Sequence, residues 1–228
     1  MNLFVGSTTT INVANASVGI KMKTNYPWDG KVTMTFNPSR KTNFTLYIRI
    51  PGWITEQAAP GGLYQFTDRY SLYRNLMING KDEAYTEDNG YAIVTREWKK
   101  GDVVEFEWPM QARIVTARQE VKSDNDRVAI QRGPLVYCVE GADNNGQAWN
   151  IVLNDTSQIK EIKTFVAGEQ IVGLQTEATV ISISADGKSV QDEKKIITAI
   201  PYYAWANRGQ NQMQVWLPTK IKDVKLNY

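Results

Sequence analysis

Apolar and polar residues alternate one by one along much of the chain. Val18, Ile20 and Met22 fall on one side of an extended backbone, with Gly19, Lys21 and Lys23 on the other. Val32, Met34 and Phe36 alternate with Lys31, Thr33 and Thr35, and Phe44, Leu46, Ile48 and Ile50 alternate with Thr45, Tyr47 and Arg49. Val104, Phe106 and Trp108 do the same against Glu105 and Glu107, and Pro109 closes that run. Each set predicts a strand with one buried and one solvated face. Turn-forming pairs separate the runs: Asp29-Gly30, Asn37-Pro38, Pro51-Gly52, Asn79-Gly80, Asn89-Gly90 and Gly101-Asp102. Helical periodicity is almost missing. Short strands at this spacing predict an all-β chain built as antiparallel sandwich.

The second half opens near Ala112, where Ile114 and Thr116 continue as a strand or linker and Lys122-Ser123-Asp124-Asn125-Asp126 reads as a solvated turn. Arg132-Gly133-Pro134 then leads into Leu135-Val136-Tyr137-Cys138-Val139-Glu140, a continuous apolar run that predicts a buried strand entered through a rigid bend. Further strands are expected at Ile151 and Leu153, from Val180 to Ile183, from Ile196 to Ile200, and across Met213-Gln214-Val215-Trp216-Leu217-Pro218; Ala185-Asp186-Gly187-Lys188 reads as a hairpin turn. The reading is two consecutive antiparallel β-sandwich domains, jelly-roll-like, over 1–111 and 112–228. Between Trp53 and Met77 the alternation lapses into a long loop bearing Tyr64, Phe66, Tyr70 and Tyr73. Long loops in compact domains are often functional, but these aromatics are expected to fold back over a sheet edge.

The 228 residues suffice for one large or two small domains, each with its own core. A net charge of +2, with Lys and Arg interleaved among Asp and Glu, gives no footprint for nucleic acid. No apolar run approaches the roughly 20 residues that span a bilayer, so no membrane partner is expected. The N-terminus lacks a basic region followed by an apolar one, so no signal peptide is expected. One cysteine excludes an internal disulfide and leaves the compartment open. The absence of histidine narrows the chemistry most. It removes Ser-His-Asp and Cys-His pairs and any His-bearing zinc site, leaving carboxylates as the remaining catalytic option.

Cys138 needs a cation, a metal or a helix N-terminus, and exposure, to act as a nucleophile. Its neighbours Tyr137 and Val139 in a buried run predict core packing instead. Asp82-Glu83, Glu87-Asp88 and Glu105/Glu107 are the carboxylate pairs to weigh against glycosidase geometry; turns and outward strand positions predict that they are simply solvated. Of the seven tryptophans, Trp108 and Trp216 lie in strand patterns and read as core. Trp28, Trp53 and Trp205 lie at Pro or Gly turns or in loops, where core or interface packing is preferred over sugar stacking. Asn43-Phe44-Thr45 and Asn154-Asp155-Thr156 match the glycosylation acceptor pattern, a match frequent by chance.

Several of these turns stand in a familiar order. Asn25-Tyr26-Pro27-Trp28-Asp29-Gly30 is followed by Leu46-Tyr47-Ile48-Arg49-Ile50-Pro51-Gly52-Trp53, Ile78-Asn79-Gly80, Gly90-Tyr91 and Trp98-Lys99-Lys100-Gly101-Asp102. Arg132-Gly133-Pro134-Leu135-Val136-Tyr137, Pro201-Tyr202-Tyr203-Ala204-Trp205-Ala206-Asn207-Arg208-Gly209 and Val215-Trp216 complete the set. Together they resemble the non-catalytic C-terminal region of glycoside hydrolase family 127, the beta-L-arabinofuranosidase-like proteins, over nearly the whole chain.

The resemblance implies an N-terminal (α/α)6 barrel carrying catalysis, then a middle and a C-terminal β-sandwich. The resemblance further implies that, in that barrel, a cysteine nucleophile, a glutamate and a thiolate-bound zinc serve retaining hydrolysis. Asn2-Leu3-Phe4-Val5-Gly6-Ser7 is similar to the segment that follows the barrel, so no catalytic position carries over and no cofactor is expected in this chain. Cys138 sits in Arg-Gly-Pro-Leu-Val-Tyr-Cys, which matches the sandwich region and not the nucleophile. The chain is thus expected to serve as an accessory region in plant-type glycan degradation, or else as a carbohydrate-binding module. Its expected partners are the catalytic barrel, a glycan and a second copy of the chain; a periplasmic or secreted setting is favoured for the whole protein. Tyr26, Trp28, Trp53 and Trp205 are the candidate contacts to a neighbouring domain or to carbohydrate.

Overall fold

Alternation along each strand becomes rows of buried side chains across the sheets. The computed structural model describes residues 1–69, 75–153, 158–184 and 186–224; Tyr70, Tyr73, the acceptor pattern at 154–156 and Ala185 lie outside them. Among the described residues all strand pairings are antiparallel, and the only helices are three-residue 3-10 turns. The chain forms two compact units, Met1–Glu56 with Tyr70–Met110, and Gln57–Arg69 with Gln111–Tyr228.

In chain order the first strands are β1 (Ser7–Val13), β2 (Ala16–Thr24), β3 (Lys31–Pro38), β4 (Thr42–Arg49), β5 (Tyr64–Phe66), β6 (Asn75–Ile78), β7 (Lys81–Asp82), β8 (Thr86–Asp88), β9 (Tyr91–Trp98) and β10 (Asp102–Glu107). The first unit holds two sheets, β1-β2-β3-β10-β6-β7 and β4-β9-β8. Pairing registers place Met22, Met34, Val104 and Ile78 side by side across four strands, and all four are buried. Phe36 of β3 meets Trp98 of β9 with ring centroids 4.8 Å apart, and Phe44 of β4 stacks on Trp98 at 5.2 Å. The two sheets therefore share one core, as the alternating pattern requires. The buried Trp98 indole N–H is satisfied by the Phe44 carbonyl at 3.0 Å. β1 is the exposed polar edge of the larger sheet.

The second unit continues with β11 (Ala112–Ala117), β12 (Arg127–Arg132), β13 (Leu135–Glu140), β14 (Ile151–Val152), β15 (Lys160–Val166), β16 (Glu169–Ile183), β17 (Val190–Pro201), β18 (Met213–Gln214) and β19 (Leu217–Pro218). Its strands form one hydrogen-bonded path, β14-β16-β17-β13-β12-β11-β5, with β15 beside β16, β18 beside β13 and β19 beside β12. The backbone N–H of Leu153, just past β14, donates to the Pro218 carbonyl of β19 at 2.9 Å, drawing distant parts of the path together. The sheet thus wraps a core that includes Ile130, Tyr137, Val139, Leu174 and Ala199. β12 and β13 are buried almost continuously, which is why their sequence reads as an apolar run and does not alternate.

Two expectations change. Residues 213–218 are not one strand: β18 and β19 pair with different neighbours, β13 and β12, and the half-buried Val215 and Trp216 bridge the bend between them. Trp216 therefore lies outside the core that its strand-like setting suggested. The loop after Trp53 supplies strand β5, which pairs along the edge of β11 and so belongs to the second unit. The buried Arg113 holds it there. Its guanidinium carbon lies 3.6 Å from the Phe66 ring centroid, and its Nε donates to Asp68 at 2.8 Å.

Gly30 has no room for a side chain. Its carbonyl accepts from the Trp108 backbone N–H at 3.0 Å, and a Cβ built on it would lie 1.7 Å from the Trp108 carbonyl oxygen. Backbone on both sides leaves nothing that can rotate away. Gly30→Ala is expected to cost about 3 kcal/mol or more, read as a lowered urea midpoint for the unit.

Candidate functional site

Strand β13 ends its apolar run on a carboxylate. Glu140 is 0 % exposed. Stripping an ionised carboxylate of water costs several kcal/mol, so the surrounding chain must supply donors. They come from the loop after β17. The Ala206 backbone N–H donates to Glu140 Oε1 at 3.3 Å, the Asn211 amide donates to the same atom at 2.9 Å, and the Arg208 guanidinium bonds Oε2. Arg208 also grips both carboxylate oxygens of Asp143, at 2.6 and 2.5 Å. Burial pushes the Glu140 carboxyl up, but the hydrogen bonds from Asn211 and Arg208 outweigh it and hold the group below its ordinary range. The Asp143 carboxylate, followed by Glu140, raises Arg208 above its ordinary value against the effect of burial.

Local sequence makes this closure feasible. Gly141 directly follows Glu140, and a Cβ there would meet the Gly146 backbone at 2.9 Å, so the turn requires glycine. Asn144 reaches back to the Glu140 carbonyl at 2.8 Å and across to the Thr198 carbonyl at 2.9 Å. The Gly141 N–H donates to the Gln212 carbonyl at 2.8 Å, clasping the two loops together. Outside this clasp stands an aromatic ledge. Pro201 opens a 3-10 turn, Tyr202–Ala204, after which Trp205 turns outward. Tyr203 is 58 % and Trp205 36 % exposed, and the Tyr202 and Trp205 rings stack at 6.3 Å.

Cys138 lies two residues before Glu140 and is buried. Burial, reinforced by the Glu140 and Asp143 carboxylates, pushes its thiol up to about 12. A thiol so placed stays protonated at neutral pH and packs as a small apolar group.

The sequence-predicted contacts divide between the units. Tyr26, Trp28 and Trp53 lie in the first and Trp205 in the second. Trp53 sits in a 3-10 turn and is only 9 % exposed, so it works as packing. A side-chain hydrogen bond joins it to Tyr26, whose ring meets Phe4 edge-on at 5.4 Å, and burial raises the Tyr26 hydroxyl. Trp28 is half buried beside the cis Tyr26–Pro27 bond. Trp205 is the one that stands outward on the ledge. The weighed carboxylates Asp82, Glu87, Asp88 and Glu107 are exposed, with Glu83 and Glu105 half buried. Among the described residues no group of three or more Cys, Asp or Glu is placed to hold a metal ion. The Glu140–Asp143–Arg208–Asn211 network escapes a reading by strand pattern. Its signal is a glutamate closing an otherwise apolar strand, with an Asn-Arg-Gly turn far downstream.

Two family models match the chain. Residues 1–110 match the beta-L-arabinofuranosidase, GH127 middle domain, and residues 112–218 match the glycoside hydrolase family 127 C-terminal domain. A non-reducing end beta-L-arabinofuranosidase of Bifidobacterium longum subsp. longum is 29 % identical over 214 residues, covering 86 % of this chain and 30 % of that protein. A solved GH127 beta-arabinofuranosidase superposes with a TM-score of 0.91 at 34 % identity, over 98 % of this chain and 35 % of its own. A GH127 beta-L-arabinofuranosidase from Geobacillus stearothermophilus T6 gives 0.81 at 33 % identity, over 95 % of this chain and 33 % of its own. The chain thus spans about a third of the length of these relatives.

The clasp and the buried thiol beside it each make a prediction. Arg208→Ala strands a buried carboxylate and is expected to cost about 3 kcal/mol at neutral pH. Because folded Glu140 titrates below its ordinary 4.5, its charged interactions stabilise fully above that pH and are lost as the pH falls below it. Urea unfolding at pH 7 and pH 4 should therefore show the gap between Arg208→Ala and the parent narrowing in acid. Second, iodoacetamide should leave Cys138 unlabelled in the native chain and label it readily in urea.

Proposed function

Because the chain belongs to glycoside hydrolase family 127, as that family's middle and C-terminal domains, we propose that it is the accessory β region of a beta-L-arabinofuranosidase acting in plant-type glycan degradation. In this reading it braces an (α/α)6 catalytic barrel and shapes that barrel's rim. The observation that carries the reading is the aromatic ledge of Tyr202, Tyr203 and Trp205. Large exposed rings on a loop pinned by a buried ion pair form a surface already ordered before anything docks on it. Such a surface loses little conformational entropy on association. Aromatic side chains are the residues that most often dominate interface energetics. Trp28, half buried in its own unit, offers a second contact. The relatives' activity supports the substrate class, and the matched third of their length supports an accessory role.

The buried, protonated Cys138 argues against catalysis by this chain itself. Assayed alone on an aryl beta-L-arabinofuranoside, the chain should show no turnover; turnover abolished by Cys138→Ser would overturn the reading. Mixed with a separately produced family 127 catalytic domain, it should form a complex detectable by sedimentation. Tyr203→Ala combined with Trp205→Ala should weaken that complex about tenfold or more. An unchanged affinity would remove the ledge from the interface.

A further inference from the structure

Away from the ledge, the second unit holds a hollow of about 480 Å³ whose walls include Trp149, Trp216, Ser123, Asp124, Arg127 and Gln214. That volume lies within the roughly 300–1,000 Å³ typical of small-molecule sites. We propose that this hollow is a binding site for neutral oligosaccharide, one of whose indole walls is backed by the strand inserted from the first half of the sequence.

The walls are built and fixed. Trp149 is 37 % exposed, yet its indole N–H is anchored to the Met213 carbonyl at 3.0 Å. Its backbone N–H is tied to the Gln212 side chain at 3.1 Å. Tyr64 of β5 stacks on Trp216 with centroids 5.4 Å apart and planes 29° from parallel, and its hydroxyl donates to Asp124 at 3.4 Å. Arg127 joins two walls, donating to the Trp216 carbonyl at 3.1 Å and the Asp223 carbonyl at 3.3 Å. Two indoles, one braced from behind by a tyrosine, therefore stand in fixed positions beside carboxylate, hydroxyl, amide and guanidinium groups.

That mixture selects the ligand class. A sugar ring presents an apolar C–H face to stack on an indole and a rim of hydroxyls to donate to Asp124 and accept from polar neighbours. The carboxylates of Asp124 and Asp223 oppose a phosphate or other anion. Arg127 within the same wall opposes an organic cation, which two indoles with a carboxylate could otherwise attract. A purely apolar ligand would strand these charged groups without water. An adjoining hollow of about 800 Å³ shares Asp124 and Arg127 and adds Thr116, Gln119 and Asn125. The ligand is therefore longer than a single ring, with hydroxyls spread over a polar second subsite. The proposal is independent of the docking ledge, and its failure would leave that reading untouched.

Arabinotriose, xylotriose and cellotriose, titrated into the chain with indole fluorescence and calorimetry as readouts, supply the test. At least one should bind with a Kd of about 1 mM or tighter. Trp149→Ala and Trp216→Ala should each weaken it about tenfold or more, while Phe165→Ala, an exposed ring elsewhere in the unit, should not. Tyr64→Ala should weaken binding as well, because it removes the brace behind Trp216. Thermal melts verify that each variant folds. Should Trp216→Ala fail to fold, Asp124→Asn keeps the volume and should still lower affinity. Binding by none of the three trisaccharides, or binding indifferent to Trp149→Ala and Asp124→Asn, would overturn the assignment.

Discussion

A carboxylate buried at the end of a core strand is the constraint around which the second unit is arranged. Glu140 cannot stay ionised at 0 % exposure unless several donors converge on it. Convergence requires that the loop after β17 return to the end of β13, and that the turn after Glu140 be tight enough to leave room. The Gly141 turn, the two-way Arg208 bridge and the Asn211 and Asn144 bonds all meet that demand. What lies outside the clasp inherits its rigidity. The ledge of Tyr202, Tyr203 and Trp205 is one consequence. The other is Gln212, whose carbonyl takes part in the clasp while its side chain holds Trp149 at the hollow.

The inserted strand answers a different need. A sheet edge exposes unpaired backbone groups, and β11 would be such an edge. β5 covers it, and Arg113 secures the cover from beneath with a ring contact and an ion pair. Because Arg113 is buried while Asp68 is partly solvated, the pair works mainly as a positional lock: without Phe66 and Asp68 the guanidinium would lose both its ring and its carboxylate. The same three-residue strand delivers Tyr64 to Trp216. One short segment thus closes an edge and braces a tryptophan.

Residues with one buried face were legible as strands. Val18–Met22, Val32–Phe36, Leu46–Ile50 and Val104–Trp108 show the alternation because their pleat places every second side chain in the core. β1 carries β-branched threonines but buries no face, so its sequence has no alternation to read. β16 was visible only near Val180–Ile183, because Gly173, Thr176 and Thr179 fill buried positions along its earlier part and leave no apolar alternation to read. β5 was hidden for another reason: its partner lies some fifty residues later, and three residues carry too little periodicity to announce a strand. The site residues were harder still. Tryptophans attract attention individually, yet Trp53 packs inward while Trp216 reaches a hollow, and only the fold decides which. Glu140 stood in plain view at the end of the buried run, where the nearby lone cysteine drew the chemical interest. Its partner Arg208 is 68 residues away.

A buried ion pair is a weak way to gain stability, since apolar residues of the same size often do as well or better. The Glu140–Arg208–Asp143 arrangement is better understood through what apolar packing could not do. An apolar plug has no directional preference. Charged hydrogen bonds with fixed donors penalise every arrangement except the one in which Arg208, Asn211 and Ala206 all reach Glu140. The network therefore trades stability for a single loop geometry. That geometry turns three aromatic rings outward and, through Gln212, anchors a fourth at the wall of a separate hollow.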